Sequence, residues 1–223
     1  MAKLKKNFAV LGLGRFGEAV VRTLADMHQD VLAVDIHEER VNELIDVATQ
    51  TLIADTRDEE VLRRLNIDTF DYVIIGIGNN MEASILTTLL AKEQGAKKVI
   101  AKAETSDHGR VLQRVGADQV VFPERDMGRG IARKLLSNHI LNFIDLSEDY
   151  TLAEVVITDP TFVDQNLIQL NLRQRFDLTV IAIQRGPKID ISPDPTAVVR
   201  LHDVLTVVGP VKQVEALDET LKK

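Results

Sequence analysis

The chain contains no cysteine, which excludes disulfides, zinc–thiolate centres and thiol nucleophiles and makes a reducing, intracellular compartment the natural setting. It has no apolar run near the roughly 20 residues that cross a bilayer; the longest candidates are short, such as Val73-Ile74-Ile75. Direct membrane insertion is not expected, so any membrane connection goes through a partner. The Lys3-Leu4-Lys5-Lys6 start lacks an apolar h-region, and no signal peptide is expected. There is no basic excess either. A net charge of -7 argues against nucleic-acid binding, which would want a basic stripe facing phosphates.

Groups suited to catalysis are also scarce. A nicotinamide dehydrogenase needs a tuned proton donor or acceptor near the hydride, such as histidine, lysine or a Tyr-Lys pair. Tyr72 and Tyr150 lack a lysine four residues on, where Gly76 and Glu154 stand. The five histidines, His28, His37, His108, His139 and His202, lie in polar, surface-like stretches, none read as standing beside an acid at a strand end. They are expected to be solvated. The pattern is that of a binding protein rather than an enzyme.

What is present begins at Phe8. An apolar strand, Phe8-Ala9-Val10-Leu11, runs into Gly12-Leu13-Gly14-Arg15-Phe16-Gly17, a helical pattern follows, and a second strand, Val31-Leu32-Ala33-Val34, ends in Asp35. This is the dinucleotide-binding fingerprint with its strand, helix and acid in place. Gly12 allows the tight turn, Gly14 lets a pyrophosphate approach the backbone, and Gly17 lets the helix pack closely. The helix N-terminus then faces the anion. Asp35 suits both hydroxyls of a ribose and repels a 2′-phosphate, which disfavours NADP. Arg15 stands where the helix dipole is already positive, at a cost of up to about 1 kcal/mol unless an anion compensates it. A polyphosphate such as ATP or ADP would do so; the plain alternative is an arginine pointing into solvent.

Short apolar runs at Thr51 to Ala54, Tyr72 to Ile77, Val99 to Ala101 and Val120 to Phe122 add four further strands. Helical spacing separates them: Val41, Leu44 and Ile45; Val61, Leu62 and Leu65; Ile85 to Leu90; Val111, Leu112 and Val115. Strands without polar alternation, joined by helices, imply an α/β fold with a doubly wound parallel sheet. From Glu124 to about Leu141 the pattern predicts one longer crossover helix, with Pro123 just before it. A small α+β lobe follows, with strands at Thr151 to Ile157, Leu178 to Ile183, Ile189 to Ile191 and Val204 to Val208, a short helix at Leu167 to Phe176 and a last one at Val211 to Leu221. The expected division is 1–143, nucleotide-binding lobe with crossover helix, and 144–223, a dimerising lobe.

The motifs Gly12 to Gly17, Ala33-Val34-Asp35, Gly76-Ile77-Gly78-Asn79, Ala101-Lys102-Ala103, Gly116-Ala117-Asp118, Pro123 to Gly128 and Ile191-Ser192-Pro193 together resemble the regulatory potassium-conductance (RCK) family, a TrkA-N domain followed by a TrkA-C domain. Within it they are most similar to the KtrA type, cytosolic regulatory subunits of Ktr potassium transporters. The resemblance implies dimers assembled into an octameric ring on a membrane-embedded potassium transporter subunit of Ktr or Trk type, at the inner face of the cell membrane. It implies gating by ATP or ADP, in preference to NAD. The competing class is an NAD-dependent oxidoreductase or an NAD(H) redox sensor, for which Asp35 serves equally well.

The resemblance also implies, motif by motif, that the nucleotide meets Gly12, Gly14, Arg15, Phe16 and Gly17 at the first turn and Asp35, Ile36 and Arg40 after the second strand. Asp55 and Thr56 would follow from the third strand, Gly76, Ile77, Gly78 and Asn79 from the fourth, and Lys102 and Glu104 from the fifth. Plainer readings stay open. Asp55 and Asn79 would serve as helix caps, worth about 1 kcal/mol each, and Lys102 as a surface lysine. Glu124 resembles a carboxylate that binds Mg or Ca together with its copy in a partner subunit; two like charges at a two-fold axis repel without a cation. Its alternative is first-turn dipole stabilisation alone. In the second lobe Leu167, Ile168, Asn171, Leu172, Arg173 and Pro193 occupy places where relatives bind cyclic di-AMP. The usual aspartates are replaced by Gln169 and Asn171, and the alternative is an ordinary helix packed in a dimer.

Overall fold

The computed structural model describes residues 5–147 and 149–221. The chain divides into two compact units, Met1–Asp126 and Met127–Lys223. In the first, strands β1 (Asn7–Leu11), β2 (Asp30–Asp35), β3 (Gln50–Ile53), β4 (Tyr72–Ile75), β5 (Val99–Lys102) and β6 (Gln119–Val121) form a six-stranded sheet in the order β3-β2-β1-β4-β5-β6. Every pairing in it is parallel. Helices α1 (Arg15–Asp26), α2 (Glu38–Asn42), α3 (Glu59–Arg64), α4 (Met81–Glu93) and α5 (Ser106–Arg114) alternate with the strands.

The unbroken apolar runs of the central strands follow from burial on both faces, whereas edge strand β3 leaves Leu52 and Ile53 exposed. Ala9 and Leu11 of β1 pack with Leu62, Leu90 and Leu112, on the side of α3, α4 and α5. Their neighbour Val10 packs with Val21, Val41 and Leu44, on the side of α1 and α2. A pleated strand sends successive side chains to opposite faces, so covering both requires an apolar residue at each position. The sheet is the expected doubly wound one. The strand order reverses between β1 and β4, which opens a crevice at their carboxyl ends.

Two boundaries in this unit are shorter than expected. The fourth strand stops at Ile75, and the Gly76 amide makes its last bond to that side of the sheet, donating to the Leu11 carbonyl at 2.8 Å. Helix α2 ends at Asn42, which leaves Ile45 beyond it and exposed rather than on its buried face.

Helix α6 (Pro123–Leu136) starts where the sequence places it and ends five residues before Leu141. The chain instead turns and enters strand β7 (Ile140–Asp145). The cause lies far along the sequence: Asp218 Oδ1 accepts the Ser137 hydroxyl and the His139 amide, each at 2.9 Å, while the Ile140 amide donates to Ser137 Oγ. A helix cannot continue through residues whose backbone donors are diverted in this way.

The second unit is antiparallel throughout. Strands β7, β8 (Tyr150–Val156), β9 (Thr179–Arg185), β10 (Lys188–Ile191) and β11 (Val204–Pro210) stand in the order β10-β9-β11-β8-β7. Strands β8 and β11 alternate buried and part-exposed residues, the signature of a sheet covered on one face. That face carries Ala153, Val155, Leu205 and Val207 against Val214 and Leu217 of α9 (Val211–Thr220). The single short helix expected at Leu167 to Phe176 is broken in two, α7 (Leu167–Leu170) and α8 (Leu172–Phe176), by Asn171 at φ 46° and ψ 45°. Leu170 and Leu172 are both buried. Two residues apart they would point to opposite sides of a continuous helix, and the left-handed turn brings both into one core.

Candidate functional site

Site geometry is set by the glycine turn. Gly12 has φ 95°, and a Cβ on it would lie 2.7 Å from Ile77 Cγ1. A Cβ on Gly17 would run into the Gly12 carbonyl, and one on Gly76 would sit 2.6 Å from the same oxygen. These three glycines therefore let β1, α1 and β4 meet. Gly14 differs, since a Cβ there meets nothing within 4 Å. It is the N-cap of α1 and offers no side chain to the first-turn amides. The Arg15 side chain is exposed and makes no ion pair among the described residues. It is thus available to an anion at the same helix end.

Asp35 ends β2 only 4% exposed. Its Oδ2 accepts the Leu13 amide at 2.6 Å and Arg40 Nη1 at 3.3 Å. Its Oδ1 accepts the His37 amide at 2.9 Å and the His37 ring Nδ1 at 2.7 Å. Burial acts to raise the carboxyl's pKa, but hydrogen bonds from His37 and Leu13 and the charge of Arg40 outweigh it and hold the group below its ordinary value. The acid is ionised at neutral pH and serves purely as an acceptor.

Around these groups lies a cleft of about 920 Å³, within the range of small-molecule sites. Of the residues the sequence assigns to a nucleotide, all but Gly17 line it; Gly17 packs beneath the turn. Leu13, Glu18, His37, Glu43, Ala54, Arg57, Asn80 and Ala83 line it as well and were not anticipated.

The caps that the plainer reading gave Asp55 and Asn79 belong to their neighbours. Asp58 caps α3 by accepting the Glu60 amide, and Asn80 caps α4 by accepting the Ala83 amide. Asp55 instead folds back on Arg57, accepting its amide at 3.0 Å and its guanidinium at 2.6 Å. Hydrogen bonds from that arginine hold the Asp55 carboxyl below its ordinary pKa. Thr56 is buried, its hydroxyl 3.1 Å from that of Thr87. Lys102 is no surface lysine. It is buried, and its Nζ lies 2.6 Å from Glu124 Oε1. That bond lowers the Glu124 pKa. Gly78 makes room for this cluster: a Cβ there would come within 2.9 Å of Glu104 Oε1 and 3.0 Å of Lys102 Nζ.

The histidines require correction. His108 and His139 are buried, and His37 stands directly on the acid that ends β2. An Asp-x-His step at a strand end is the signal for the last, since an aspartate readily takes the amide two residues on. Among the described residues no three His, Asp or Glu side chains gather where they would hold a metal. Glu124 on its own would need ligands from a second chain.

In the second unit the Leu167 and Ile168 amides donate to the Ala197 and Pro195 carbonyls, which fixes the segment after Pro193 against the start of α7. Ile168 and Arg173 are exposed, Leu167 and Pro193 half-buried, and Asn171 Nδ2 donates to Gln174. Leu172 is turned into the core. A separate cavity of about 530 Å³, lined by residues such as Ile183, Arg185 and Arg200, includes none of these six.

The comparisons agree with both halves. A TrkA-N domain matches residues 8–123 and a TrkA-C domain residues 152–222. The chain is 40% identical over 216 residues to the Ktr system potassium uptake protein C of Bacillus subtilis, covering 97% of each chain. It is 41% identical over 219 residues to protein A of the same system and organism, covering 98% of each. Among solved structures the GsuK RCK domain superposes with a TM-score of 0.66 at 19% identity, over 100% of this chain and 49% of that one, a likeness of fold. Matched in both halves and along nearly its whole length, the chain belongs to the family built of a TrkA-N domain followed by a TrkA-C domain, the family of the Ktr system potassium uptake proteins.

Proposed function

We propose that this chain is a cytosolic regulatory subunit that holds ATP or ADP, unreacted, in the cleft of its first unit and thereby sets the opening of a membrane-embedded potassium-translocating subunit. One observation carries the reading. A buried, ionised Asp35 stands across the glycine turn from the uncapped start of α1 and from Arg15, which makes no ion pair among the described residues. An acceptor for a ribose diol thus faces a positive site for a polyphosphate. The γ-phosphate is the group that separates ATP from ADP, and Arg15 is placed to read it.

Gating follows from linkage. A nucleotide shifts the gate only by binding two states of the assembly with different affinity, typically by 1–3 kcal/mol. The assembly is a ring of paired copies, octameric by family resemblance. Helix α6 supports pairing, since it buries none of its own residues and exposes Met127, Ile131, Leu135 and Leu136. Paired copies also bring two Glu124 carboxylates within reach of one Mg or Ca ion. In the second unit, Ile168 and Arg173 offer an apolar and a cationic contact to cyclic di-AMP. Titration of the whole chain with that ligand decides whether it binds.

Asp35 would equally hold the adenosine ribose of NAD, which is what an NAD-dependent oxidoreductase or redox sensor would require. The deciding experiment measures potassium flux through vesicles containing a Ktr-type membrane subunit and this chain. Faster flux with ATP than with ADP, without loss of nucleotide, supports gating. Flux indifferent to both, or nucleotide-dependent hydride transfer, refutes it.

A further inference from the structure

Asp35 has no free acceptor. An ionised carboxylate offers about four lone-pair positions, and four donors already meet it: the amides of Leu13 and His37, His37 Nδ1 and Arg40 Nη1. A ribose diol arriving at this acid therefore has to replace two of them. The amides are fixed, one in the glycine turn and the other at the exit of β2. The side chains are not, with His37 60% and Arg40 43% exposed. His37 makes the closer contact, 2.7 Å against 3.3 Å. Because Asp35 only accepts, Nδ1 is the protonated ring nitrogen in this contact.

We propose that His37 is an intrachain competitor of the ribose diol: its Nδ1–H occupies the Asp35 position that a hydroxyl needs, and nucleotide binding proceeds by displacing it, with Arg40 the weaker second occupant. The proposal rests on the reading of the cleft as an adenine-nucleotide site. The competitor also does something for the empty protein, because a buried carboxylate with fewer donors is costly. The swap exchanges one hydrogen bond for another, so the diol contributes less net affinity than it would at an open acid. His37 thereby weakens binding without touching the ligand and brings discrimination down to the phosphate end, where ATP and ADP differ.

The test is calorimetric titration of the full-length wild type, His37→Ala and His37→Phe with ATP and with 2′,3′-dideoxy-ATP. Both variants keep the backbone amide, and phenylalanine keeps a ring of similar size without the donor. Both should bind ATP about fivefold tighter than wild type, the worth of one net hydrogen bond, and bind the dideoxy compound as wild type does. Unchanged or weaker ATP binding overturns the proposal, since His37 then assists the ligand or ignores it. Equal tightening toward the dideoxy compound also overturns it, because no hydroxyl is then involved. Failure of wild type and both variants to bind ATP refutes the reading of the cleft itself, and the proposal with it.

Discussion

Lys102 Nζ lies 2.6 Å from Glu124 Oε1, joining the end of β5 to the first turn of α6. The lysine side chain is 10% exposed and the glutamate 68%, so the pair is dry at one end and wet at the other. A cation bridging two Glu124 carboxylates would compete with that lysine. Glu124→Gln should therefore abolish any enhancement of ATP affinity by Mg or Ca, and should lower stability by about 1–3 kcal/mol because the buried ammonium loses its charged acceptor. Titrations with and without the ion, beside a denaturant melt, check both parts. An unchanged ion effect removes Glu124 from the metal site.

The glycines of the first turn separate into two kinds. Gly17→Ala drives a methyl into the Gly12 carbonyl, a backbone atom that has nowhere to go. It should cost at least about 3 kcal/mol or prevent folding, as overpacking does. Gly14→Ala has empty space and an ordinary φ of -65°, so its melting temperature should stay within about 2 °C of wild type. Its methyl points where phosphate would approach, and ATP should bind about tenfold more weakly. Paired melts and titrations distinguish the two.

Arg15→Ala should weaken ATP about tenfold and AMP much less, as expected for one charge-assisted contact to the far phosphates. Equal losses for the two ligands would remove the arginine's phosphate role.

Two kinds of buried group set the pH range of stability. Burial lowers the pKa of His108, with Glu104 opposing in part. The unfolded chain then binds the proton more readily, and stability falls as pH drops below about 6.5. At Asp203 burial acts upward, but Arg185 and the Arg200 amide prevail and the carboxyl is held below its ordinary value. Its contribution is full above about pH 3.9 and is lost as pH falls through the folded pKa below that. Chemical denaturation across pH should show two separate declines, and His108→Gln should flatten the upper one alone.

The parts legible from sequence are those fixed by local stereochemistry. Gly12 and Gly17 are dictated by a positive φ and a missing Cβ, and the strands announce themselves because both faces of the sheet are covered. Distant residues decided the rest. The pattern Met127, Ile131, Leu135 carries on with no proline or glycine between Leu136 and Leu141 to stop it; Asp218, 81 residues beyond Ser137, takes the Ser137 hydroxyl and the His139 amide and so ends it together with Ser137's own hold on the Ile140 amide. The break at Asn171 depends on a core that needs both Leu170 and Leu172. The cleft's main residues were readable at the strand ends; at Asp35 and Asp55 the spacing to His37 and Arg57 signals the amide contact, but not that the ring or guanidinium also folds onto the acid, because a polar loop side chain looks the same whether it meets solvent or a carboxylate.

Under the proposed function, many copies of this chain together hold an intact adenine nucleotide. Native mass measurement of the purified protein with ATP decides this. The prediction is a closed assembly of paired copies, eight by family resemblance, carrying one unhydrolysed ATP per chain and losing it on Asp35→Ala. A monomer without nucleotide, or an assembly that returns ADP and phosphate, would contradict it.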